Sequence, residues 1–88
     1  MNTLPQNLFA WKFTSDEKAI TRTLTLVDFM MVIRTVQKIA EIAEAEDHHP
    51  DMFIHDWNKL TITLSTHSEG GVTEKDLSLA SKIDAITQ

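Results

Sequence analysis

Two short stretches of this chain place hydroxyl-bearing residues at every second position. In residues 19–26, AITRTLTL, the hydroxyl-bearing residues are threonines. In residues 60–67, LTITLSTH, they are threonine or serine, and mainly aliphatic residues lie between them in both stretches. Neighbouring residues of a β-strand point to opposite faces, so both stretches are predicted to be strands with one apolar and one polar face. A sheet built from such strands has to cover its apolar face with another layer.

A long helix is predicted between these two strands, over residues 28–45. Apolar residues recur there at spacings of three and four, and Asp28 precedes them as a candidate N-cap. Pro50 restricts the residue before it, so the helix has to end upstream and leave EDHHP as its exit. The predicted apolar face consists of Phe29, Val32, Ile33, Val36, Ile39, Ala40 and Ala43.

Two further strands are predicted from shorter patterns. Residues 8–13 alternate between large apolar and other residues and predict a first strand, followed by a polar turn at residues 14–18. Residues 51–57, DMFIHDW, predict a strand that turns at Asn58 and Lys59 into the strand beyond. Each predicted strand therefore lies next to another one along the chain, as in a hairpin.

A second helix is predicted near the end of the chain. The segment TEKD, residues 73–76, carries the threonine and the acidic residue of a capping box, and apolar residues at helical spacing follow from Leu77 to Ile86. The predicted order is β-β-α-β-β-α. We expect a single α+β domain over residues 1–88, in which a four-stranded antiparallel sheet carries both helices on one face.

The composition argues against several classes of function. The chain has 88 residues, a formal net charge of -5 and no cysteine, so it forms neither disulfides nor thiolate zinc sites. Its eight Lys and Arg residues are scattered, which argues against direct binding of DNA or RNA, and no apolar run is long enough for a membrane span. The small core favours an oligomer, and the cytoplasm is the expected compartment because the first residues lack the pattern of a secretory signal.

The four histidines are the residues best suited to chemistry. His48 and His49 are adjacent at the helix exit, His55 lies on a predicted strand, and His67 ends another. Adjacent histidines on an extended segment point apart, which does not suit the converging ligands of a zinc site. Imidazole gives and takes protons near neutral pH, so general acid–base catalysis is one interpretation. Solvated histidines without a role are the other, and His55 fits that interpretation best.

The order of the charged and aromatic residues around these histidines resembles that of a known family. The matching residues are Trp11, Ile20, Asp28, Phe29, Glu44, Asp47, His48, His49, Pro50, His67 and Asp76. Glu-x-x-Asp-His-His-Pro, followed by Thr-His and a later aspartate, is a specific combination. Over residues 11–86 the chain is similar to pterin-4a-carbinolamine dehydratase, also called the dimerization cofactor of a hepatocyte nuclear factor.

This resemblance implies an enzyme that eliminates water from a 4a-hydroxytetrahydropterin to give a quinonoid dihydropterin, in the recycling of tetrahydrobiopterin. It implies no metal and no cofactor. The implied catalytic residues are His48, His49 and His67. The residues implied to bind or surround the substrate are Trp11, Glu44, Asp47, Pro50, Ser65, Thr66 and Asp76.

The same resemblance leaves a second function open. Animal members act as transcriptional coactivators that bind a short partner helix, so an interaction module, which would also enter the nucleus, is the alternative to the dehydratase. A homodimer or homotetramer is expected in either case. Longer members begin with a further helix, which the resemblance leaves either missing here or reduced to NTLPQN, residues 2–7.

Overall fold

The computed structural model describes residues 3–87 and confirms the predicted α+β fold and element order. The main elements are β1 (Lys12–Phe13), β2 (Ile20–Thr25), α1 (Phe29–Glu46), β3 (Asp51–His55), β4 (Lys59–Leu64) and α2 (Glu74–Ile86). Two short 3-10 helices accompany them, Gln6–Leu8 before β1 and His67–Glu69 after β4. The first of these overlaps the end of NTLPQN, where a reduced leading helix was one of the two expectations, and the beginning of NTLPQN lies outside the described residues.

The four strands form one antiparallel sheet in the order β1-β2-β4-β3. β2 and β4 pair along their whole length, from Ile20 opposite Leu64 to Thr25 opposite Lys59. This register puts the threonines of both strands on the same face, where the hydroxyls of Thr23 and Thr61 lie 2.8 Å apart. The predicted polar and apolar faces are therefore those of the structure.

Both helices pack on the apolar face of the sheet. Isoleucines and leucines of β2 and β4 meet Val32 and Ile39 from α1 and Leu79 and Ile83 from α2 in a single buried cluster. Helix α1 begins where its cap predicts, because the carboxylate of Asp28 accepts a hydrogen bond of 2.8 Å from the backbone N–H of Met31. The observed helix ends one residue beyond the predicted range, which is within the usual uncertainty of helix ends.

The segment before β1 differs from the predicted strand over residues 8–13. Only Lys12–Phe13 is a strand, and two successive turns precede it, with Leu8 N–H donating to Pro5 and Trp11 N–H donating to Leu8. A turn of three residues puts Leu8 and Trp11 on the same side, whereas alternation would separate them. Both side chains are buried and Phe9, between them, is 89% exposed.

The turn between β3 and β4 lies earlier than predicted. Asp56, Trp57 and Asn58 form the loop, and Lys59 already belongs to β4. Asn58 is held to the end of β2, since its carbonyl accepts from Leu26 N–H at 2.8 Å and its side-chain amide donates to Leu26 O at 3.1 Å. β3 therefore ends at His55, and Trp57 is an exposed loop residue with a positive φ of 56°.

Candidate active site

The exit of α1 positions the two adjacent histidines. Asp47 has a left-handed backbone with φ of 52°, its N–H donates to Glu44 O, and His48 N–H donates to Ala43 O at 3.1 Å. This pair of bonds is a Schellman motif, which usually has glycine where Asp47 stands. The motif reverses the chain at once, so His48 and His49 lie on the short link into β3.

The two histidines point to opposite sides of that link. His48 is directed inward, with 12% of its side chain exposed, and its Nε2 lies 2.6 Å from Oδ1 of Asp76. His49 is directed outward, with 56% exposed, and its Nε2 lies 2.5 Å from Oε2 of Glu44. Among residues 3–87, no group of three or more His, Asp or Glu side chains is arranged to hold a metal ion.

Asp76 is the buried anchor of the site. Its side chain is fully buried at the third position of α2, where Oδ2 accepts from the backbone N–H of Thr73 at 2.9 Å and from the hydroxyl of Thr66 at 2.8 Å. The predicted capping box with Thr73 is therefore present. A buried carboxylate is stabilised when every oxygen has donors, and here Oδ1 is left for His48.

The contact with Asp76 determines which ring nitrogen of His48 carries a proton. An ionised Asp76 only accepts hydrogen bonds, so Nε2 of His48 carries the proton between them. Among residues 3–87, no side chain bonds Nδ1, and no buried side-chain nitrogen or oxygen lacks a partner. With Nε2 engaged by Asp76, Nδ1 is the ring nitrogen left for other contacts of His48, which lines the pocket described next.

A pocket of about 310 Å³ lies beside these groups, between the end of α1 and the start of α2. It is lined by Asp47, His48, His49, Ser65, Thr66, His67, Ser68 and Lys75. His67 does not end a strand, as the alternation predicted: β4 stops at Leu64 and His67 begins a 3-10 helix, because the chain bends back there and Thr66 N–H donates to Gly71 O at 2.8 Å. The structure thus brings the three histidines predicted to be catalytic into one pocket.

The model of the family described as "Pterin 4 alpha carbinolamine dehydratase" matches residues 1–86. The chain belongs to this family.

Relatives that carry the name of pterin-4-alpha-carbinolamine dehydratase occur in bacteria and archaea. One from Mycobacterium sp. (strain KMS) is 50% identical over 77% of this chain and 71% of its own length. One from Nocardia farcinica is 43% identical over 94% of this chain and 84% of its own, and one from Sulfolobus acidocaldarius is 42% identical over 86% and 80%. The similarity thus extends over most of both chains in each pair.

Solved structures agree with the family assignment. A protein from Brucella melitensis, described as a transcriptional coactivator/pterin dehydratase, superposes with a TM-score of 0.85 at 35% identity and covers 99% of this chain and 100% of its own. A pterin dehydratase-like protein described as a RuBisCO assembly factor in the alpha-carboxysome superposes with a TM-score of 0.74 over 89% of each chain. At 15% identity, the second similarity shows a shared fold only.

The remaining predicted site residues of this pterin dehydratase family member fall into two groups. Ser65, Thr66 and Asp47 line the pocket, and Glu44 reaches it through His49. Pro50 is half-buried and does not line the pocket, and Asp76 reaches it through its hydrogen bonds with His48 and Thr66.

Trp11 lies elsewhere, in the hydrophobic core. It is 3% exposed, and its indole N–H donates to Oδ1 of Asp84 at 2.9 Å. Asp84 follows Asp76 by eight residues, which is about 12 Å along α2. The structure therefore does not bring Trp11 to the pocket as the aromatic wall that the resemblance implied.

Two pocket residues were not predicted, Ser68 and Lys75. Each directly adjoins a predicted residue, His67 or Asp76, so adjacency was the available signal. His55 lies on the polar face of the sheet, where its Nε2 is 2.8 Å from the hydroxyl of Thr61 and its ring stacks on Phe53. It takes no part in the pocket.

Proposed function

We propose that this protein removes water from 4a-hydroxytetrahydropterins to form quinonoid dihydropterins, in the recycling of tetrahydrobiopterin after an aromatic amino acid hydroxylase. The observation that carries the proposal is the pocket shared by three histidines, in which His48 is held by a fully buried aspartate. Membership of the family supplies the substrate class.

The reaction needs one acid and one base on the same edge of the pterin ring. The C4a–O bond breaks, the hydroxyl leaves as water after accepting a proton, the proton on N5 is removed, and a C4a=N5 double bond forms from the nitrogen electrons. The reaction changes no oxidation state overall, so the only steps that the protein has to catalyse are the two proton transfers. Imidazole groups perform both transfers near neutral pH.

His48 is the proposed base. Its Nδ1 takes the proton from N5, while Nε2 keeps its hydrogen bond to Asp76. The positive charge that develops on the ring is stabilised by the buried carboxylate, as in other His–Asp pairs in which the aspartate orients the imidazole. Asp76 is therefore a positioning residue in this proposal, since its fully buried side chain does not touch the substrate.

His67 is the proposed acid for the leaving hydroxyl. It lines the same pocket from the 3-10 helix that follows β4, and the bridge between Thr66 and Gly71 fixes the base of that segment. His49 assists or contacts the ring, in an orientation set by Glu44. Acid and base thus come from different segments of the chain, the exit of α1 and the 3-10 helix after β4.

Asp47, Ser65 and Thr66 are the proposed contacts for the polar atoms of the pterin. The pyrimidine ring of a pterin presents an amino group and a neighbouring N–H, which together match the two oxygens of a carboxylate. Asp47 has an exposed carboxylate at the pocket rim and is suited to that edge.

The test is to follow the loss of a 4a-hydroxytetrahydropterin by absorbance, above its spontaneous rate. We expect His48→Ala and His67→Ala to lose about 10²- to 10⁴-fold in catalysed rate, the usual contribution of general acid–base groups. His55→Ala is the matched control, because this histidine lies outside the pocket and should leave the rate unchanged. Wild-type rates in both pocket variants would overturn the proposal.

A partner-binding role is a second candidate, favoured by an apolar surface next to the start of α1. Val27, Phe29 and Met30 are 75%, 49% and 54% exposed there, at the opposite end of α1 from the histidines. An amphipathic partner helix would bury such side chains. If the role exists, Met30→Ser should abolish binding of a partner and leave dehydration intact; loss of dehydration in this variant would argue against two separable functions.

A further inference from the structure

His67 lies in a closed loop, residues 66–71, that contains the second 3-10 helix and connects β4 to α2. The loop begins and ends at a bridge, in which Thr66 N–H donates to Gly71 O at 2.8 Å and Gly71 N–H donates back to Thr66 O at 3.4 Å. Inside the loop, Glu69 N–H also donates to Thr66 O, at 3.0 Å. Within residues 3–87, these backbone bonds shape the loop but join it only to itself.

One side-chain hydroxyl attaches this loop to the rest of the protein. In the described part of the chain, all side-chain hydrogen bonds between the loop and other residues come from Thr66, which is buried. Its hydroxyl donates to Oδ2 of Asp76 at 2.8 Å. That uses its single hydrogen, so the hydroxyl of Thr73, 2.7 Å away, donates to the oxygen of Thr66. The position of the loop, and with it that of the exposed His67, therefore depends on Thr66.

The carboxylate that holds the loop is also the one that orients the proposed base. Oδ1 of Asp76 lies 2.6 Å from Nε2 of His48, while Oδ2 accepts from Thr66. The carboxylate is a fixed reference point, because it is fully buried and also accepts from the backbone N–H of Thr73 at the start of α2. Thr66 directly precedes His67, so the segments of both proposed proton-transfer residues are bound to the two oxygens of one planar group.

The separation of an acid and a base matters because both have to reach the same substrate in one geometry. A displacement of about 1 Å in reacting groups can cost about 10²-fold in rate. Gly70, which has a φ of 69°, and Gly71 close the loop, and glycine resists backbone movement less than any other residue. Without the hydroxyl of Thr66, the loop would lack a side-chain hydrogen bond that opposes such a displacement of His67.

The other polar groups of Thr66 are already in use inside the protein. Its N–H and its carbonyl oxygen bond within the loop, its hydroxyl hydrogen is directed to Asp76, and one lone pair accepts from Thr73. A contact with a pterin would use the one lone pair that remains on the hydroxyl oxygen. Most of the hydrogen-bonding capacity of this pocket residue thus serves the protein itself.

We propose that Thr66 is a positioning residue whose hydroxyl fixes the acid His67 relative to the base His48, because it ties the loop of the acid to the carboxylate of Asp76. This inference rests on the proposed function, from which it takes the roles of the two histidines. It assigns to Thr66 an effect on the rate of proton transfer that does not require contact with the substrate.

The first experiment separates catalysis from binding. Thr66→Val keeps the shape of the side chain and removes the hydroxyl, so kcat for 4a-hydroxy-6-methyltetrahydropterin should fall about 10²-fold. Thr66→Ser retains a hydroxyl and should recover most of the rate. The dissociation constant of 6-methyl-7,8-dihydropterin, measured by fluorescence, should be unchanged in both variants. Thermal unfolding gives a temperature at which every variant compared is folded.

Thr35→Val is the matched control. Thr35 is also a buried threonine, but its hydroxyl donates to Met31 O at 2.8 Å within α1, and it does not line the pocket. Its kcat should equal that of wild type. Thr66→Ala keeps the test decisive if Thr66→Val does not fold, because the smaller side chain leaves room for a water molecule beside Asp76. We expect Thr66→Ala to lose kcat in the same way.

A measurement without substrate tests the attachment of the loop directly. Backbone ¹⁵N relaxation should give order parameters near about 0.85 for residues 67–70 in wild type and in Thr66→Ser, and below about 0.6 in Thr66→Val and Thr66→Ala, the values of rigid and flexible backbone. Thr35→Val should resemble wild type.

The outcomes distinguish this inference from the proposed function. A wild-type kcat in Thr66→Val and Thr66→Ala, or a loop that stays as rigid as in wild type, overturns the positioning role and leaves the proposed dehydratase intact. A weakened affinity for the dihydropterin with an unchanged kcat overturns it as well, because Thr66 would then act by binding substrate. If wild type itself does not dehydrate the 4a-hydroxypterin above the spontaneous rate, the proposed function fails even where the loop becomes mobile as expected.

Discussion

Asp76 and His48 form one buried contact of 2.6 Å that joins the start of α2 to the exit of α1. The other oxygen of the same carboxylate caps α2 through Thr73 and binds Thr66. One side chain therefore stabilises a helix and orients an imidazole. Substitutions can separate these two tasks.

Asp76→Asn should reduce both stability and catalysis. The amide has only one acceptor oxygen, so it can serve the cap or His48 but not both. We expect unfolding free energy to fall by about 1–3 kcal/mol, measured by denaturant titration, and the dehydration rate to fall at least about tenfold. The ¹⁵N chemical shifts of His48 should show a changed tautomer.

Thr73→Ala is the control for that prediction, since it weakens the cap and leaves the Asp76–His48 contact in place. It should lose about 1 kcal/mol of stability with little change in rate. If Asp76→Asn and Thr73→Ala affect the rate equally, Asp76 acts through stability alone.

Asp47→Gly should separate backbone strain from substrate binding. The left-handed conformation at φ of 52° costs little for glycine, so stability should stay the same or rise by up to about 1 kcal/mol. If the carboxylate binds the pterin, KM should rise about tenfold, the scale of a charged hydrogen bond. The measurements are thermal unfolding and steady-state kinetics, and an unchanged KM would show that Asp47 serves only the turn.

Trp11→Phe should destabilise the protein without changing its chemistry. The phenyl ring keeps most of the packing but loses the N–H that donates to Asp84, a carboxylate that also pairs with Arg22. We expect a loss of about 1–2 kcal/mol in unfolding free energy and no change in KM at temperatures where the variant is folded. A raised KM with unchanged stability would instead support an aromatic wall at the pocket.

Asp16 should contribute to stability only while it is ionised. Hydrogen bonds from the backbone N–H of Lys18 and the hydroxyl of Thr14 lower its pKa in the folded protein from 3.8, so its contribution is present above that value and is lost as pH falls through the lower folded-state value. Wild type should therefore be more stable than Asp16→Asn near neutral pH, and the difference should vanish in strong acid. Denaturant midpoints of both proteins across the acid range test this, and a difference that persists in strong acid would contradict it.

Light scattering at micromolar concentration should give a dimer or tetramer. β3 is an edge of the sheet, so its outer backbone groups are free to pair with another strand, and Phe53 on this strand is 64% exposed. A chain of this length also buries a small core by itself. A lasting monomer would contradict the prediction.

In the described part of the chain, residues 3–87, no helix is long and apolar enough to cross a membrane.

Local sequence patterns determined the elements, the faces of the strands and most of the buried face of α1, where Val32 and Ile39 are in the core; Phe29, predicted on that face, is 49% exposed instead because it begins the helix at its open end. The alternation in β2 and β4 and the spacing in α1 depend only on residues within one element, because side-chain direction follows from backbone geometry. The caps at Asp28 and Thr73 are equally local, and both were predicted from the residue types beside each helix start. These features therefore needed no knowledge of the rest of the fold.

The predicted secondary structure was wrong where a short segment can satisfy its backbone hydrogen bonds in more than one way. Alternation around Trp11 predicted a strand, but consecutive turns satisfy the backbone there and bury Leu8 and Trp11 together. The β3–β4 turn moved because Asn58 is bound to β2, more than thirty residues earlier in the chain. In both cases a contact with a distant element accompanies the change, from Trp11 to Asp84 in α2 and from Asn58 to Leu26 after β2.

The sequence by itself determined that three histidines would lie near the ends of α1 and β4, and its resemblance to a family indicated their chemistry. Only the tertiary structure decided that His48 turns inward and His49 outward, and that Asp76, 28 residues after His48, is the partner of the inward ring. The physical reason is that a buried carboxylate requires donors, and the donors available to Asp76 depend on how α2 packs against the exit of α1.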